Sequence, residues 1–371
     1  MVVHDFPPRI IGGEGVVAEK IACTLTKLGI DLTVICPDQP DSQSYDQRMS
    51  FKTQRIRTFG RNFVLRTASF WAGSRHRIRS FDGDLIYYWR PAALRKDIAS
   101  VFHVHTWRSG LARACAENDL KAHSAVNRIY ATFDTIMVKN CARVIAPRKE
   151  LAREIARIVP EKPGKVVTIG NPIQINQWPD RAAEIRSVKK LLFIGRLDKA
   201  KGVLDLIHAM GRLRKSHPLL SLCIIGDGPE KARAVRLVED LKMENSITFS
   251  PSTDSNGVLQ ALTAHDLLVV PTHFETFGMI LLEAALVGIP IISTRDCLQL
   301  GQHTFPRGDI PSLVLTLTRY ISNPGLLAES AGCCRLTAEK FDDSQVSKEL
   351  LSEIEKTQKV YSQKKLTAEQ T

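Results

Sequence analysis

The chain has 371 residues, 44% of them hydrophobic and 24% charged, and a formal net charge of +12 at pH 7. That length suits two domains of roughly 150–190 residues each, with ordinary packed cores. It contains no run of about 18 apolar residues that would predict a membrane-spanning helix, no basic-then-apolar leader at its start, and eight cysteines without a C-x-x-C pair, which fit reduced core thiols of a cytoplasmic protein rather than a disulfide frame or a zinc site.

VVHDFPP opens the chain as a strand. Ile11-Gly12-Gly13-Glu14-Gly15 follows as a turn, then a helix that Gly29 ends, then the strand LTVICP. This order begins a Rossmann-like half. GGEG is not a G-x-G-x-x-G fingerprint, so a nicotinamide site is not expected. Residues 40–80 are polar and basic with weak strand signals, and are expected to contain mobile surface. Between Arg48 and Lys96 there are twelve basic residues against only Asp82 and Asp84, with Phe59, Phe63, Phe70 and Trp71 interleaved. Such a stretch suits an anionic membrane surface, which would place the protein peripherally on a cytoplasmic face. Nucleic acid is the weaker reading, and a solvated basic face with core aromatics remains open.

DLIYYW and VFHVHTW read as strands, the second with His103 and His105 on one face. Arg143–Pro147 is a short strand, followed by a helix from about Lys149 to Val159. KVVTIGNPI, with Asn171, closes the first half. From about Lys189 the strands LLFIGRL, LSLCIIGDG, SITFS, DLLVVPT and PIIST alternate with helical stretches, which implies a second parallel sheet with helices on both faces. Gly226-Asp227-Gly228-Pro229 is a strand-to-helix turn. Past Phe341 the chain is helical and polar, and residues 363–371 are expected to be disordered.

The most informative stretch is PTHFETFGMILLEAALVGIP, residues 271–290. Met279 to Val287 is apolar on nearly all sides and predicts a buried helix, ended by Gly288 and Pro290. Glu275 lies in the turn before it and Glu283 inside it. Eight positions span at most about 12 Å along a helix, roughly the length of a sugar diphosphate. Two carboxylates could therefore hold hydroxyls at opposite ends of one ligand. The helix start near Thr276, Phe277 and Gly278 would favour a diphosphate between them. The plain alternative is a buried helix with one partnered Glu and one N-terminal Glu that suits the helix dipole.

This paired-glutamate stretch resembles the motif of retaining glycosyltransferases with the GT-B fold, family 4. Upstream, KKLLFIGRLDKAKGVLDLIHAM is also similar to that family, with Gly195-Arg196 and Lys201-Gly202 at its donor-diphosphate motif. The resemblance implies an α/β, GT-B fold: two Rossmann-like domains with parallel sheets facing a central cleft. It places an acceptor domain at 1–180, rejoined by a helix at about 345–362, and a nucleotide-sugar domain at 181–344. It further implies that Arg196 and Lys201 stabilise the departing diphosphate, that Glu275 faces the sugar and that Glu283 binds the ribose. Phe277 and Gly278 would give backbone N–H groups, and Gly226 would lie near the nucleotide. Gly12 and Gly13 would lie against the donor phosphate, unless they form only a tight turn. The donor substrate is a nucleotide-diphosphate sugar, the acceptor a glycan, a lipid-linked or a small-molecule group; no metal and no cofactor is expected.

Two departures from the family pattern stand out. The family carries a further strand and a histidine-bearing loop after the region like VFHVHTW, and here that strand is expected to be shortened or lost. His123 is then the first choice for the histidine near the donor, with His105 the second. After PIISTRDC, LQLGQHTFPRGDIPSL replaces a longer glycine-rich segment. These changes keep a rival open: a non-catalytic GT-B protein that binds a partner or a nucleotide sugar without turnover. An epimerase of the same fold is a weaker rival.

Overall fold

A computed structural model of the chain describes all residues except 9–12, 61–62, 111–120, 181–186, 295–297, 299, 301 and 370–371. The chain divides into two compact units. Unit 1 is Met1–Ile173 with Asp343–Thr371, and unit 2 is Gln174–Asp342.

Unit 1 is built on a parallel sheet. The strands are β1 (Thr33–Pro37), β2 (Lys52–Ile56), β3 (Leu85–Tyr88), β4 (Ala99–His103), β5 (Arg143–Ala146) and β6 (Val166–Thr168). Val2 bridges β1 and β3, pairing with Ile35 and Tyr88. This gives the order β2-β1-(Met1–Val3)-β3-β4-β5-β6. The inner strands β1, β3, β4 and β5 are short apolar runs that are largely buried, as a helix-covered parallel sheet requires, and the edge strands β2 and β6 are more exposed. The helices are α1 (Gly13–Lys27), α2 (Ser42–Asp46), α3 (Phe63–Arg79), α4 (Lys121–Asn140), α5 (Lys149–Ala156) and α12 (Asp343–Glu369). Both chain crossings between the units meet within unit 1, where the Asp343 N–H donates to the Ile173 carbonyl at 2.9 Å. Arg143 on β5 reaches Glu353 on α12 at 3.3 Å, and Thr24 on α1 bonds Asp343 at 3.1 Å.

Three expectations are corrected here. Residues 40–80 hold more than weak strands and surface: beside β2 they form two helices, α2 and the 17-residue α3. Thr67, Phe70, Ser74 and Ile78 are its buried positions, spaced 3 or 4 residues apart. The scattered arginines hid this 3.6-residue period. Residues 363–369 are helical rather than disordered, because Gln363 to Glu369 contain good helix formers and no Gly or Pro. The shortened region also falls elsewhere. The β4-to-β5 connection is long and contains α4, whereas β3 and β4 pair in parallel across only ten residues, Trp89–Ile98, with no helix. Parallel neighbours normally need a dozen or more residues and a helix. The element cut short is thus the β3–β4 crossover, not a strand after β4.

Unit 2 carries a six-stranded parallel sheet in the order β12-β11-β10-β7-β8-β9. Its strands are β7 (Lys190–Ile194), β8 (Ser221–Ile225), β9 (Ile247–Ser250), β10 (Leu267–Val270), β11 (Ile291–Ser293) and β12 (His303–Thr304). Between and after them run α6 (Val203–Leu213), α7 (Lys231–Asp240), α8 (Ser255–Ala264), α9 (Met279–Val287), α10 (Ile310–Ser322) and α11 (Pro324–Ala338). All four residues of β10 are buried. Six of the nine in α9 are buried, and Gly288 caps it at φ 74°. These are the all-round apolar strand and helix that the sequence predicts. The architecture is α/β, with two Rossmann-like units of the GT-B kind.

Candidate functional site

In unit 2 the chain runs outward from β7 through β8 to β9, then returns to the other side of β7 with β10, β11 and β12. The winding direction reverses between β7 and β10. Ligands on open α/β sheets bind outside the carboxyl ends of the strands at such a point. The loops leaving β7 and β10 carry the motif residues. Gly195 and Arg196 follow β7, then a tight turn at Lys199–Lys201. Glu275 and Gly278 follow β10.

These loops are stitched together by backbone. The Ala200 carbonyl accepts from the His273 N–H at 2.7 Å, the Thr272 hydroxyl at 2.9 Å and the Phe274 N–H at 3.3 Å. At Gly202, φ is 68°, and an added Cβ would lie 2.0 Å from the Pro271 carbonyl oxygen. Only glycine allows that approach. The result sets Lys201 Nζ 2.6 Å from Glu275 Oε2. Burial alone would raise the Glu275 carboxyl. The Lys201 charge and hydrogen bond, with the N–H groups of Thr276 and Phe277, outweigh it and hold the group below its ordinary value. Arg196 is 58% exposed and lies 3.5 Å from Asp198. Burial raises the Asp198 carboxyl despite Lys201 and Arg196.

Gly278 starts α9 at φ 92°, and a Cβ there would press on Leu281 and Glu275. Glu283 sits within α9, partly exposed between buried Leu282 and Ala284. Gly226 lies at the end of β8, tight against the Gly195 carbonyl. Arg196, Lys201, Glu275, Gly195 and Gly226 are therefore brought together. The Phe277 N–H, expected to face a diphosphate, is instead turned to the Glu275 carboxylate, and the Phe277 ring is buried edge-on against Phe341 at 5.4 Å.

Unit 1 has its own reversal, between the Met1–Val3 strand and β3. Gly12 and the side chain of His123 lie outside the described residues; the His123 backbone is in the first turn of α4, not in a loop. Gly13 is the first residue of α1. The carboxyl ends of the strands instead gather groups that the sequence reading left unassigned. Arg90, after β3, donates from Nε to Glu14 Oε1 at 2.7 Å and from Nη2 to Oε2. His105, two residues past β4, stacks on Trp89 with ring centroids 3.6 Å apart. Burial, His103 and Arg90 together push His105 well below an ordinary histidine, so it is neutral, and its Nε2 has no hydrogen-bond partner. His103 is likewise pushed down to about 3 by burial. The backbone N–H of Arg108 donates to Asp134 at 3.1 Å, and burial lifts Asp134 to about 7. Trp71, Trp89, Arg90, His105, Arg108 and Asp134 line a small recess that opens to solvent. One signal could have found them: in IYYWRP and VFHVHTWR, charged and ring side chains follow at once on buried strands.

Two family models match the chain. One, described as Glycosyltransferase Family 4, matches residues 11–177, and one, Glycosyl transferases group 1, matches residues 175–301. The chain is 27% identical over 332 residues to a glycogen synthase of Mycobacterium tuberculosis, covering 80% of this chain and 77% of that protein. Over 109 residues it is 34% identical to an N-acetyl-alpha-D-glucosaminyl L-malate synthase of Bacillus anthracis, 29% of this chain and 28% of that one. Among solved structures, Anabaena Alr3699/HepE in complex with UDP and glucose aligns with a TM-score of 0.74 at 16% identity, over 96% of this chain and 99% of that one. WaaG, a glycosyltransferase involved in lipopolysaccharide biosynthesis, aligns at 0.75 and 18% identity, over 94% and 97%.

Proposed function

Starting from a glycosyltransferase of the GT-B fold, which the matched models and the shared architecture make this chain, we propose that it moves a sugar from a nucleotide-diphosphate sugar to a glycan, lipid-linked or small-molecule acceptor with retention of anomeric configuration. The observation that carries this reading is the Lys201–Glu275 pair beside Arg196 at the β7/β10 reversal. Two cations on neighbouring turns of one site would serve a leaving group whose charge grows. Arg196 offers a planar fork and Lys201 a point charge. In this reading both hold the diphosphate, Glu275 contacts the sugar, and Glu283 holds the ribose. The departing phosphate takes the acceptor proton, so neither glutamate acts as nucleophile, and the protein cations take the role a metal would have.

We place the acceptor on unit 1, in the recess beside His105. His105 stands where the shortened β3–β4 crossover leaves the histidine-bearing strand end, so it, rather than His123, is the histidine we assign to the reacting sugar. A neutral imidazole there donates or accepts a hydrogen bond without adding charge. HepE has been solved with UDP-glucose, which makes that donor the first to try. The test is a thermal-shift screen over nucleotide sugars, then turnover with the best binder. The expected result is stabilisation by one nucleoside diphosphate and its sugar, then sugar transfer. Binding without transfer to any glycan, lipid-linked or sugar acceptor would support the non-catalytic rival, and absence of any nucleotide binding would overturn the assignment of the β7/β10 site.

A further inference from the structure

The basic stretch acquires a definite shape in the fold. The outward side of α3 shows Val64 at 45% and Leu65 at 54% exposure, and Phe59 just ahead of it is 62% exposed. Residues 65, 68, 72, 75 and 79 continue this exposed side along the helix, while Phe70 and Ile78 face the core. α4 lies against α3 over that same core: Trp71 meets Phe133 and Tyr130 edge-on at 4.6 and 6.2 Å, and Met137 and Val138 join the cluster. α4 in turn exposes Ile129 at 62% and Ile136 at 42%. The exposed part of this helix pair thus carries apolar side chains that stand out into solvent.

Its charge has one sign. Arg57, Arg66, Arg75, Arg77, Arg79 and Arg128 are all exposed. Among the described residues none of the six makes an ion pair with an acid. The guanidinium of Arg57 lies 5.5 Å from the Phe59 ring centroid. α3 contains no Asp or Glu, and the one acid of α4, Asp134, is buried at 2% exposure. Elsewhere in unit 1, Arg55 pairs with Asp46, Arg90 with Glu14 and Arg95 with Asp97. The α3/α4 surface therefore carries exposed arginines with no exposed acid of its own helices beside them.

We propose that the outward face of α3 and α4 docks unit 1 onto an anionic lipid bilayer, with Phe59, Val64 and Leu65 entering the headgroup boundary and the arginines pairing with lipid phosphates. Exposed aliphatic side chains decide for lipid over nucleic acid. A nucleic-acid surface gains from cations and aromatic stacking but nothing from Val64, Leu65, Ile129 or Ile136, whereas an interfacial helix gains from both components. No described helix is long and apolar enough to cross a membrane, so this contact is a docking and not a span. It stands independently of the donor and acceptor assignments above.

The experiment is co-sedimentation of the full chain with vesicles of phosphatidylcholine alone or with about one-third phosphatidylglycerol, at low and high salt. Binding is expected only to the anionic vesicles and to weaken as salt rises. Replacing Arg75 and Arg79 together by Ala should weaken it about 25-fold, at about fivefold per surface cation. Phe59→Ser with Leu65→Ser should weaken vesicle binding about 10-fold with little change in its salt slope, because apolar burial is not screened. The tryptophan introduced by Leu65→Trp should shift its emission to the blue on anionic vesicles. All these positions are exposed, so melting temperatures should stay at the parental value. Equal binding to neutral and anionic vesicles would overturn the proposal. So would an unshifted emission from the Leu65→Trp variant, or a Phe59/Leu65 double variant that binds vesicles like the parent while the chain binds single-stranded RNA equally well.

Discussion

Each unit reverses its winding once, and the two reversals are furnished in opposite ways. At the β7/β10 point of unit 2 the polar groups are charged, partly exposed and held by backbone. Lys201 meets Glu275 at 2.6 Å, and Arg196 is more than half exposed. At the corresponding point of unit 1 the rings of His103 and His105 are buried and neutral, burial raises the Asp134 carboxyl to about 7, and Arg90 pairs with Glu14. The first arrangement suits a fixed, strongly charged diphosphate. The second suits a hydroxyl-bearing group that is recognised by rings and neutral hydrogen bonds. The contrast teaches that one sheet topology supplies the place for a ligand, and the loop chemistry decides which ligand.

The sharpest way to break this comparison is to remove the unit 2 cations. Arg196→Ala and Lys201→Ala should each lower kcat/KM by about 100-fold or more, measured by initial rates with the best donor. They should differ in stability. Arg196→Ala loses an exposed side chain and should melt like the parent. Lys201→Ala leaves the Glu275 carboxylate buried without its cation and should lose about 1–3 kcal/mol in urea unfolding. Normal turnover in either variant would return that residue to the surface.

Next in size is the test of the unit 1 rings. His105→Ala should lower turnover by about 10- to 100-fold, the range of a positioned hydrogen-bonding or proton-transferring group, while His123→Ala should leave it near the parental rate. The reverse order would restore His123. Within unit 2, Glu283→Gln should weaken free nucleoside diphosphate by about 1–3 kcal/mol in calorimetry, as expected for a charged hydrogen bond. Glu275→Gln should bind it almost normally and lose turnover. Equal losses would end the division of roles between the two carboxylates.

The smallest effect is in pH. His103 and His105 have folded values below the unfolded 6.5, so they contribute stability above about pH 6.5 that is lost as pH falls. Asp134 has a raised value, about 7, and so binds its proton more tightly in the folded state, which offsets one of the two. Burial lowers His4 in the same way, so the net is a loss of stability as pH falls below about 6.5. Glu275, whose value is depressed, adds a loss only below its unfolded value of 4.5. Acid should thus weaken unit 1 before unit 2. Trp71, Trp89 and Trp107 lie in unit 1 and only Trp178 in unit 2, so tryptophan emission in urea titrations at several pH values reads the difference directly. His105→Asn should flatten the profile between pH 6.5 and 4.

The contrast also explains what could be read from the chain. In unit 2 the site is local in sequence: Gly195 to Gly202 and Pro271 to Gly288 are two continuous stretches, and each folds as its own pattern of strand, turn and helix. Arg196, Lys201, Glu275 and Glu283 could be named from them, and the boundaries of α9 match the apolar run residue for residue. In unit 1 the recess is assembled from Glu14, Arg90, His105 and Asp134, which no local pattern links. The period of α3 was masked because arginines occupy its exposed side so densely that the stretch reads as simply basic. The short β3–β4 crossover was misplaced because a missing helix leaves no residues to read. What identifies it is the pairing of β3 with β4 across ten residues.

The return of α12 to unit 1 has a consequence for how the protein is made. Ile173 and Asp343 are hydrogen-bonded neighbours, yet the whole of unit 2 is threaded between them. A ribosome releases Met1–Ile173 first, but those residues must wait for Asp343–Glu369, which is made after unit 2, before Arg143 and Thr24 find their partners. Unit 2 needs nothing that follows it and can close while α12 is still in the exit tunnel. The portion translated first is therefore the portion completed last, and its sheet spends most of synthesis without its final cover.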